Sequence, residues 1–105
     1  MKLKGDTMAK TQTETFIRRS ITDALRLAGW AVFYIFQGLG SYKGISDLIA
    51  IKDGLTVYIE VKTETGRQSE YQRQFERIIT DHGGKYYLAK STADIAELLT
   101  YKPLF

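Results

Sequence analysis

The dipeptide Asp53-Gly54 constrains this chain more than any other feature of its sequence. It separates two runs rich in β-branched and aromatic residues, 45–52 (ISDLIAIK) and 55–63 (LTVYIEVKT). Asp-Gly supplies two successive positions that tolerate positive φ, which a two-residue type I′ hairpin turn requires. Such a turn fixes the register of both strands. Lys52 then pairs with Leu55, Ala50 with Val57 and Leu48 with Ile59, and these last two pairs make a core-facing surface. The same counting sets Asp47 opposite Glu60 on the other face, with Cβ atoms roughly 4.5–5.5 Å apart. Lys62, two residues past Glu60, shares that face. A one-residue bulge would break this geometry. Two opposed carboxylates repel, so a folded chain that keeps them needs a proton, a lysine or a divalent cation between them. The plainer reading is a solvated polar face on which Lys62 pairs with Glu60.

The remaining elements follow from periodicity. A chain of 105 residues is long enough for one hydrophobic core and too short for two. Residues 1–10 have no apolar period and read as a leader, disordered or not native to the domain, with the domain itself spanning 11–105. Thr11-Gln12-Thr13-Glu14 has capping-box spacing and opens a helix carrying Ile17, Ile21, Ala24, Leu25 and Ala28, with Gly29 beyond its end. Residues 30–36 (WAVFYIF) read as a buried strand. Residues 37–44 contain three glycines and form a loop. Ser69 and Gln72 cap a second helix with an apolar stripe of Tyr71, Phe75, Ile78 and Ile79, stopped by Gly83-Gly84. Residues 85–90 form a fourth strand. Ser91 or Thr92 then caps a short helix carrying Ile95, Leu98 and Leu99, with Pro103 past its end. The order predicts an α/β domain: an αβββαβ core with a mixed four-stranded sheet flanked by helices, plus a short C-terminal helix.

Composition narrows the chemistry. The chain has no cysteine and one histidine, His82, which excludes thiolate zinc, cysteine nucleophiles and multi-histidine metal sites. Metal chemistry must therefore use oxygen ligands, which suit Mg²⁺, Mn²⁺ or Ca²⁺. No apolar run approaches the roughly 20 residues of a membrane helix, and Met1 to Thr7 is polar, so the expectation is a soluble, cytoplasmic protein without a membrane partner. The net charge of +3 hints at a polyanionic partner.

Three polar residues carry two readings each. Glu14 lies about 40° from the centre of the first helix's apolar stripe, so it can point over the sheet. It also fits a capping box, with Arg18 as its i+4 ion-pair partner. Gln72 caps back to Ser69, and its amide also lies where it can reach the sheet edge. His82 reads as a structural helix-end residue, although it lies on the apolar side.

Gly44-Ile45-Ser46-Asp47, followed by a strand, a turn and Glu60-Val61-Lys62, resembles the PD-(D/E)xK nuclease core. Ser46 stands where proline is usual, and proline is not a metal ligand. The ordered set is similar to the virus-type replication-repair nuclease domain, VRR-NUC. Its parts are Glu14 in an opening helix, Gly29, Gly44-x-x-Asp47, Ile59-Glu60-Val61-Lys62-Thr63, Gly66-Arg67-x-Ser69-x-x-Gln72 and Gly83-Gly84, covering about residues 11 to 100. The resemblance implies a restriction endonuclease-like fold, so that 11–105 would be a single nuclease domain. It also implies a divalent-metal-dependent DNA endonuclease, structure-selective and resolvase-like on Holliday junctions, acting as a homodimer. By motif position, Asp47, Glu60 and the Val61 carbonyl would hold Mg²⁺ or Mn²⁺. Glu14 would bind a second metal or a metal-bound water. Lys62 would position or activate the attacking water, and Gln72 would orient a water or the phosphate. The partner would be branched or duplex DNA, with no small-molecule cofactor.

Lys43, Arg67, Arg73 and Arg77 are candidates for phosphate contacts and equally for a solvated basic face. Tyr42 on the glycine loop is placed either to stack on an exposed base or to cover the core. Rival readings are a DNA-binding module of the same fold without catalysis, a flap or nicking nuclease, and a small interaction protein whose acid pair is only surface.

Overall fold

The computed structural model describes residues 12–103. The leader and Thr11 lie outside them. Helix α1 spans Glu14–Leu27, followed by strands β1 (Ala31–Tyr34), β2 (Leu48–Lys52) and β3 (Leu55–Val61). Helix α2 (Glu70–Asp81), strand β4 (Lys85–Ala89), a 3-10 turn (Thr92–Ile95) and helix α3 (Ala96–Leu99) complete the elements of the described residues. The sheet has four strands in the order β1-β2-β3-β4. β1, β2 and β3 are antiparallel neighbours, and β4 joins β3 in parallel after the α2 crossover.

The hairpin register is the one the turn dictates. Lys52 pairs with Leu55, Ala50 with Val57 and Leu48 with Ile59. Asp53 (φ 51°) and Gly54 (φ 84°) both hold the positive φ of a type I′ turn. Leu48, Ala50, Val57, Ile59 and Val61 are fully buried on one face, under Ile17, Ile21 and Leu25 of α1 and Ile95 and Leu98 of the C-terminal segment. Trp30 closes this core and donates from its indole Nε1 to the Leu98 carbonyl at 2.9 Å. On the opposite face Phe75 of α2 packs against Tyr58 and Tyr86.

Several local expectations are corrected. The cap of α1 is Thr13, whose hydroxyl accepts from Phe16 N at 3.1 Å. Glu14 is therefore the first helical residue and takes no part in a capping box. The strands are shorter than 30–36, 45–52, 55–63 and 85–90. β1 stops at Tyr34 because beyond it the backbone makes one further bond, from Ile35 N to the Asp47 carbonyl, before the glycine loop departs. The final helix begins as a 3-10 turn capped by Ser91. The stripe on α2 is mostly uncovered: Phe75 is buried, whereas Tyr71 and Ile78 are 48% and 43% exposed. α2 packs chiefly against β4, so it shields only part of that face.

Both long helices end as glycine signals predict. Gly29 and Gly83 hold positive φ. Trp30 N bonds the Leu25 carbonyl and Gly84 N the Ile79 carbonyl, the 6→1 bonds of Schellman motifs. His82 is the C-cap of α2, with Nδ1 2.8 Å from the Ile78 carbonyl, in keeping with a structural role.

Candidate active site

A cleft of about 440 Å³ opens where α1, the end of β1, the start of β2, the end of β3 and the start of α2 converge. It is lined by Glu14, Asp47, Glu60, Lys62 and Gln72, with Arg18 and the run 34–37. All five side chains proposed from sequence for catalysis thus come together on one concave surface. They arrive by four routes: Asp47 and Glu60 by hairpin register, Lys62 by strand alternation, Glu14 from the first turn of α1 and Gln72 from the first turn of α2.

Asp47 sits one residue before β2, opposite Glu60. Its Oδ2 accepts from the Val61 amide at 2.7 Å, which ties the carboxylate to the strand that carries Glu60. Glu60 is 1% exposed. That rules out a merely solvated polar face. Its Oε2 accepts from Gln72 Nε2 at 2.8 Å and lies 3.6 Å from Lys62 Nζ. Its Oε1 is buried, and no N–H or hydroxyl of the described residues donates to it. Burial pushes the Glu60 carboxyl up from 4.5 to about 8. The negative charge of Asp47 adds to the rise, Lys62 opposes it, and a hydrogen bond with Asp47 and the charge of Glu14 add smaller upward pushes.

Gln72 fulfils both readings at once. Its Oε1 accepts from Ser69 N at 2.8 Å while Ser69 Oγ accepts from Gln72 N, a complete capping box. Its Nε2 is left over and goes to Glu60. Gly44 explains how α2 comes so near the acid pair. It holds φ +91°, and a Cβ there would lie 2.3 Å from the Tyr71 carbonyl oxygen and 2.9 Å from Gln72 N. The backbone leading into Asp47 can therefore touch the first turn of α2 only through glycine.

Glu14 reaches the cleft paired with Arg18, at 3.3 Å. Among the described residues no three His, Cys, Asp or Glu side chains cluster closely enough to hold a metal ion together. Asp47 and Glu60 form a pair, and Glu14 stands apart from it. The basic residues proposed for DNA lie outside the cleft. Arg73 and Arg77 pair with Glu70 at 2.9 and 3.6 Å, and the hydrogen bond from Arg73 holds the Glu70 carboxyl below the usual range. Lys43 Nζ stands 4.5 Å over the Tyr71 ring, a cation–π contact, and Arg67 is exposed. Tyr42 lies 6.0 Å from Phe75, ring to ring, on the outer aromatic cluster. Sequence reasoning did not assign Arg18, Tyr34, Phe36 or Gln37 to the site. The i+4 pairing of Arg18 with Glu14 was the one signal pointing there.

No protein-family model matches the chain, and neither does any curated protein sequence. Among solved structures, one described as a "VRR_NUC domain" superposes with a TM-score of 0.71 at 17% identity, covering 86% of this chain and 97% of that one. The two share a fold.

Proposed function

We propose that this chain, with the fold of a VRR-NUC domain, is a metal-dependent endonuclease that hydrolyses DNA phosphodiester bonds with Mg²⁺ or Mn²⁺. The observation that carries this reading is the buried Oε1 of Glu60, to which no N–H or hydroxyl of the described residues donates and whose carboxyl can share only a proton with Asp47 beside it. Once ionised, such a buried oxygen without a donor costs free energy, and the like charge of Asp47 beside it adds to the cost. A hard divalent cation meets both needs, because it takes carboxylate oxygens as ligands and reverses the sign of the pair interaction. The donor set therefore fits such an ion. Asp47 and Glu60 would hold it, with the Val61 carbonyl as a further oxygen and Glu14 acting through water or on a second ion. A bound metal supplies an ionised water near neutral pH and positive charge for the pentacovalent phosphorus.

The chain's own groups prepare that chemistry. Gln72 holds Glu60 through Oε2 and would leave Oε1 free for a metal ion, so it acts first as a positioning residue. Lys62 is a mobile point charge at the acid pair, suited to stabilising charge on the phosphate. Arg18 offers a second cation on the cleft wall, partly neutralised by Glu14. Lys43 and Arg67 are candidates for outer phosphate contacts, and Arg73 and Arg77 join them if they leave Glu70. The described residues form one cleft lined by this acid pair. Resolvase-like cutting of both strands of a junction needs two, which a twofold homodimer provides.

The test is a cleavage gel with four-way junction, flap, single-stranded and duplex DNA, in Mn²⁺ or EDTA. Cleavage in Mn²⁺ that disappears in EDTA and in Glu60→Ala is expected. Cleavage unaffected by Glu60→Ala, or none on any substrate with Mn²⁺ or Mg²⁺, overturns the reading.

A further inference from the structure

The cleft has a second wall that the phosphoryl-transfer reading does not use. Residues 34–37 run on from the end of β1, and among them Tyr34 and Phe36 line the same cleft as Asp47, Glu60 and Lys62. Phe36 is 89% exposed and Tyr34 57%. Phenylalanine is a type that a folded chain ordinarily buries and tyrosine one that it buries in part, and here both stand in solvent next to a row of charged groups. They are also tethered to the acid pair. Ile35, between them, donates its amide to the carbonyl of Asp47 at 2.8 Å, and Gln37 Nε2 donates to the Ile45 carbonyl at 2.9 Å. The loop then folds back so that Gly38 abuts the Phe36 ring, where a Cβ would come within 3.0 Å of Cε2. Ser41 holds that fold, accepting from Gly38 N and donating to its carbonyl. An aromatic pair is thus held in register with the residue proposed to bind metal.

We propose that Tyr34 and Phe36 form a stacking wall that takes an unpaired nucleobase beside the scissile phosphate, so that the cleft selects DNA whose bases are already unstacked at the cut. The inference rests on the nuclease reading above and names its substrate class. The ligand is identified by the wall's chemistry. Flat aromatic faces beside cationic groups suit a base attached to a phosphate, and every base presents a π-face, so the contact is tolerant of sequence. In intact duplex those faces are covered by neighbouring pairs, and exposing one has a cost that is least where the base is already unpaired. Flap bases present such nucleotides, and a junction centre interrupts stacking where its arms meet, whereas plain duplex does neither. Tyr42, which also had the chemistry to stack, is engaged with Phe75 and lies outside the cleft lining.

The experiment uses Phe36→Trp and Phe36→Ala of the full chain, in EDTA so that DNA is bound and not cut. The native tryptophan, Trp30, is 3% exposed and adds a constant background to the fluorescence of the new indole. Flap DNA with an unpaired nucleotide at the branch is expected to quench Phe36→Trp more strongly than nick-free duplex of equal length. Phe36→Ala is expected to lower the ratio of flap to duplex affinity about tenfold, within the range set by the loss of one base stack, and Phe36→Trp to restore it. Equal quenching by flap and duplex, or a wild-type ratio in Phe36→Ala, overturns the proposal. So does a concentration-dependent blue shift of Phe36→Trp without DNA, which would mean that a second copy covers the wall. Because these readouts need no catalysis, they fail separately from the nuclease reading. Wild-type cleavage with no Phe36 effect defeats only the stacking wall, and stacking without metal-dependent cleavage defeats only the hydrolytic chemistry.

Discussion

Glu60 is a carboxyl that water barely reaches, facing another carboxylate, and its proton is the simplest way to satisfy it when no metal is bound. Its folded-state pKa of about 8, against an ordinary 4.5, means that the folded chain holds a proton the unfolded chain releases between those values. The sign follows. The stabilising contribution is complete below pH 4.5 and is lost as pH rises through about 8. In EDTA, thermal melts from pH 5 to 9 are expected to show falling stability, on the order of a few kcal/mol in all. Glu60→Gln keeps the shape without the charge and is expected to flatten that slope; an unchanged slope would remove Glu60 from the account. The catalytic assignment makes a separate demand. Alanine at Asp47, Glu60 or Lys62 should each lower cleavage at least about a hundredfold, as losing one charge-stabilising group commonly does. DNA binding should persist because phosphate contacts elsewhere carry most of the affinity. Residue identity and opposition at this site were legible, since a two-residue turn leaves one register for Asp47 and Glu60. The burial of Glu60 was not legible. Strand alternation places it on a face without saying that α2 and the glycine loop will cover that face.

Elements were legible where a local signal was redundant. Ser69 and Gln72 make a capping box, Gly29 and Gly83 end helices at positive φ, and Asp53-Gly54 turns the hairpin. The start of α1 went differently. Thr11 and Thr13 both offer a hydroxyl to a helix start, and Glu14 three residues after Thr11 suggested the wrong one, whereas Phe16 N bonds Thr13. Strand ends were overestimated for a different reason. Apolar alternation continues through Ile35 and Ile45, but pairing depends on a neighbour, and the glycine loop between them removes it. Gly44 and Gly54 allow a paired test at this scale. Both hold positive φ, yet a Cβ at Gly54 meets nothing within 4 Å, while one at Gly44 meets the backbone of α2 at 2.3 Å. Gly54→Ala should therefore cost only the conformational penalty, about 1 kcal/mol. Gly44→Ala must also push α2 away from the loop. It should cost at least about 2 kcal/mol in denaturant melts and lower cleavage further by moving Gln72 off Glu60. Equal losses at the two sites would mean that the close approach at Gly44 does not matter.

At the scale of the whole molecule, the sequence order of helix, three strands, helix and strand led directly to the mixed sheet. Only the last strand follows a helical crossover, and a crossover of that length is what a parallel neighbour requires. Which parts of the sheet stay uncovered could not be read that way, because coverage depends on where α2 lands. The result is an uncovered apolar patch on one face of the sheet beside its edge strand β1, with Phe33 58% exposed and Ile51 of the adjoining strand 39% exposed, while the edge itself is covered in part where Arg26 donates to the Val32 carbonyl at 3.0 Å. Edge strands with free backbone groups and apolar side chains are surfaces that proteins usually cover, blunt or pair. Together with the single acid pair per chain, this favours closed twofold association, in which the same surface serves both copies and two clefts act on one branched substrate. A dimer is expected by light scattering at micromolar concentration, and paired incisions placed symmetrically about the centre of a four-way junction. Exchanging Phe33 for lysine should shift the chain toward monomer, because a charge desolvated at such an interface is costly. If cutting depends on the pair, symmetric incision should fall with the dimer fraction while nicking of single strands persists. A chain that remains monomeric at all concentrations and makes only unpaired nicks would exclude the resolvase reading and assign the cleft to flap or nick processing, for which one acid pair is enough.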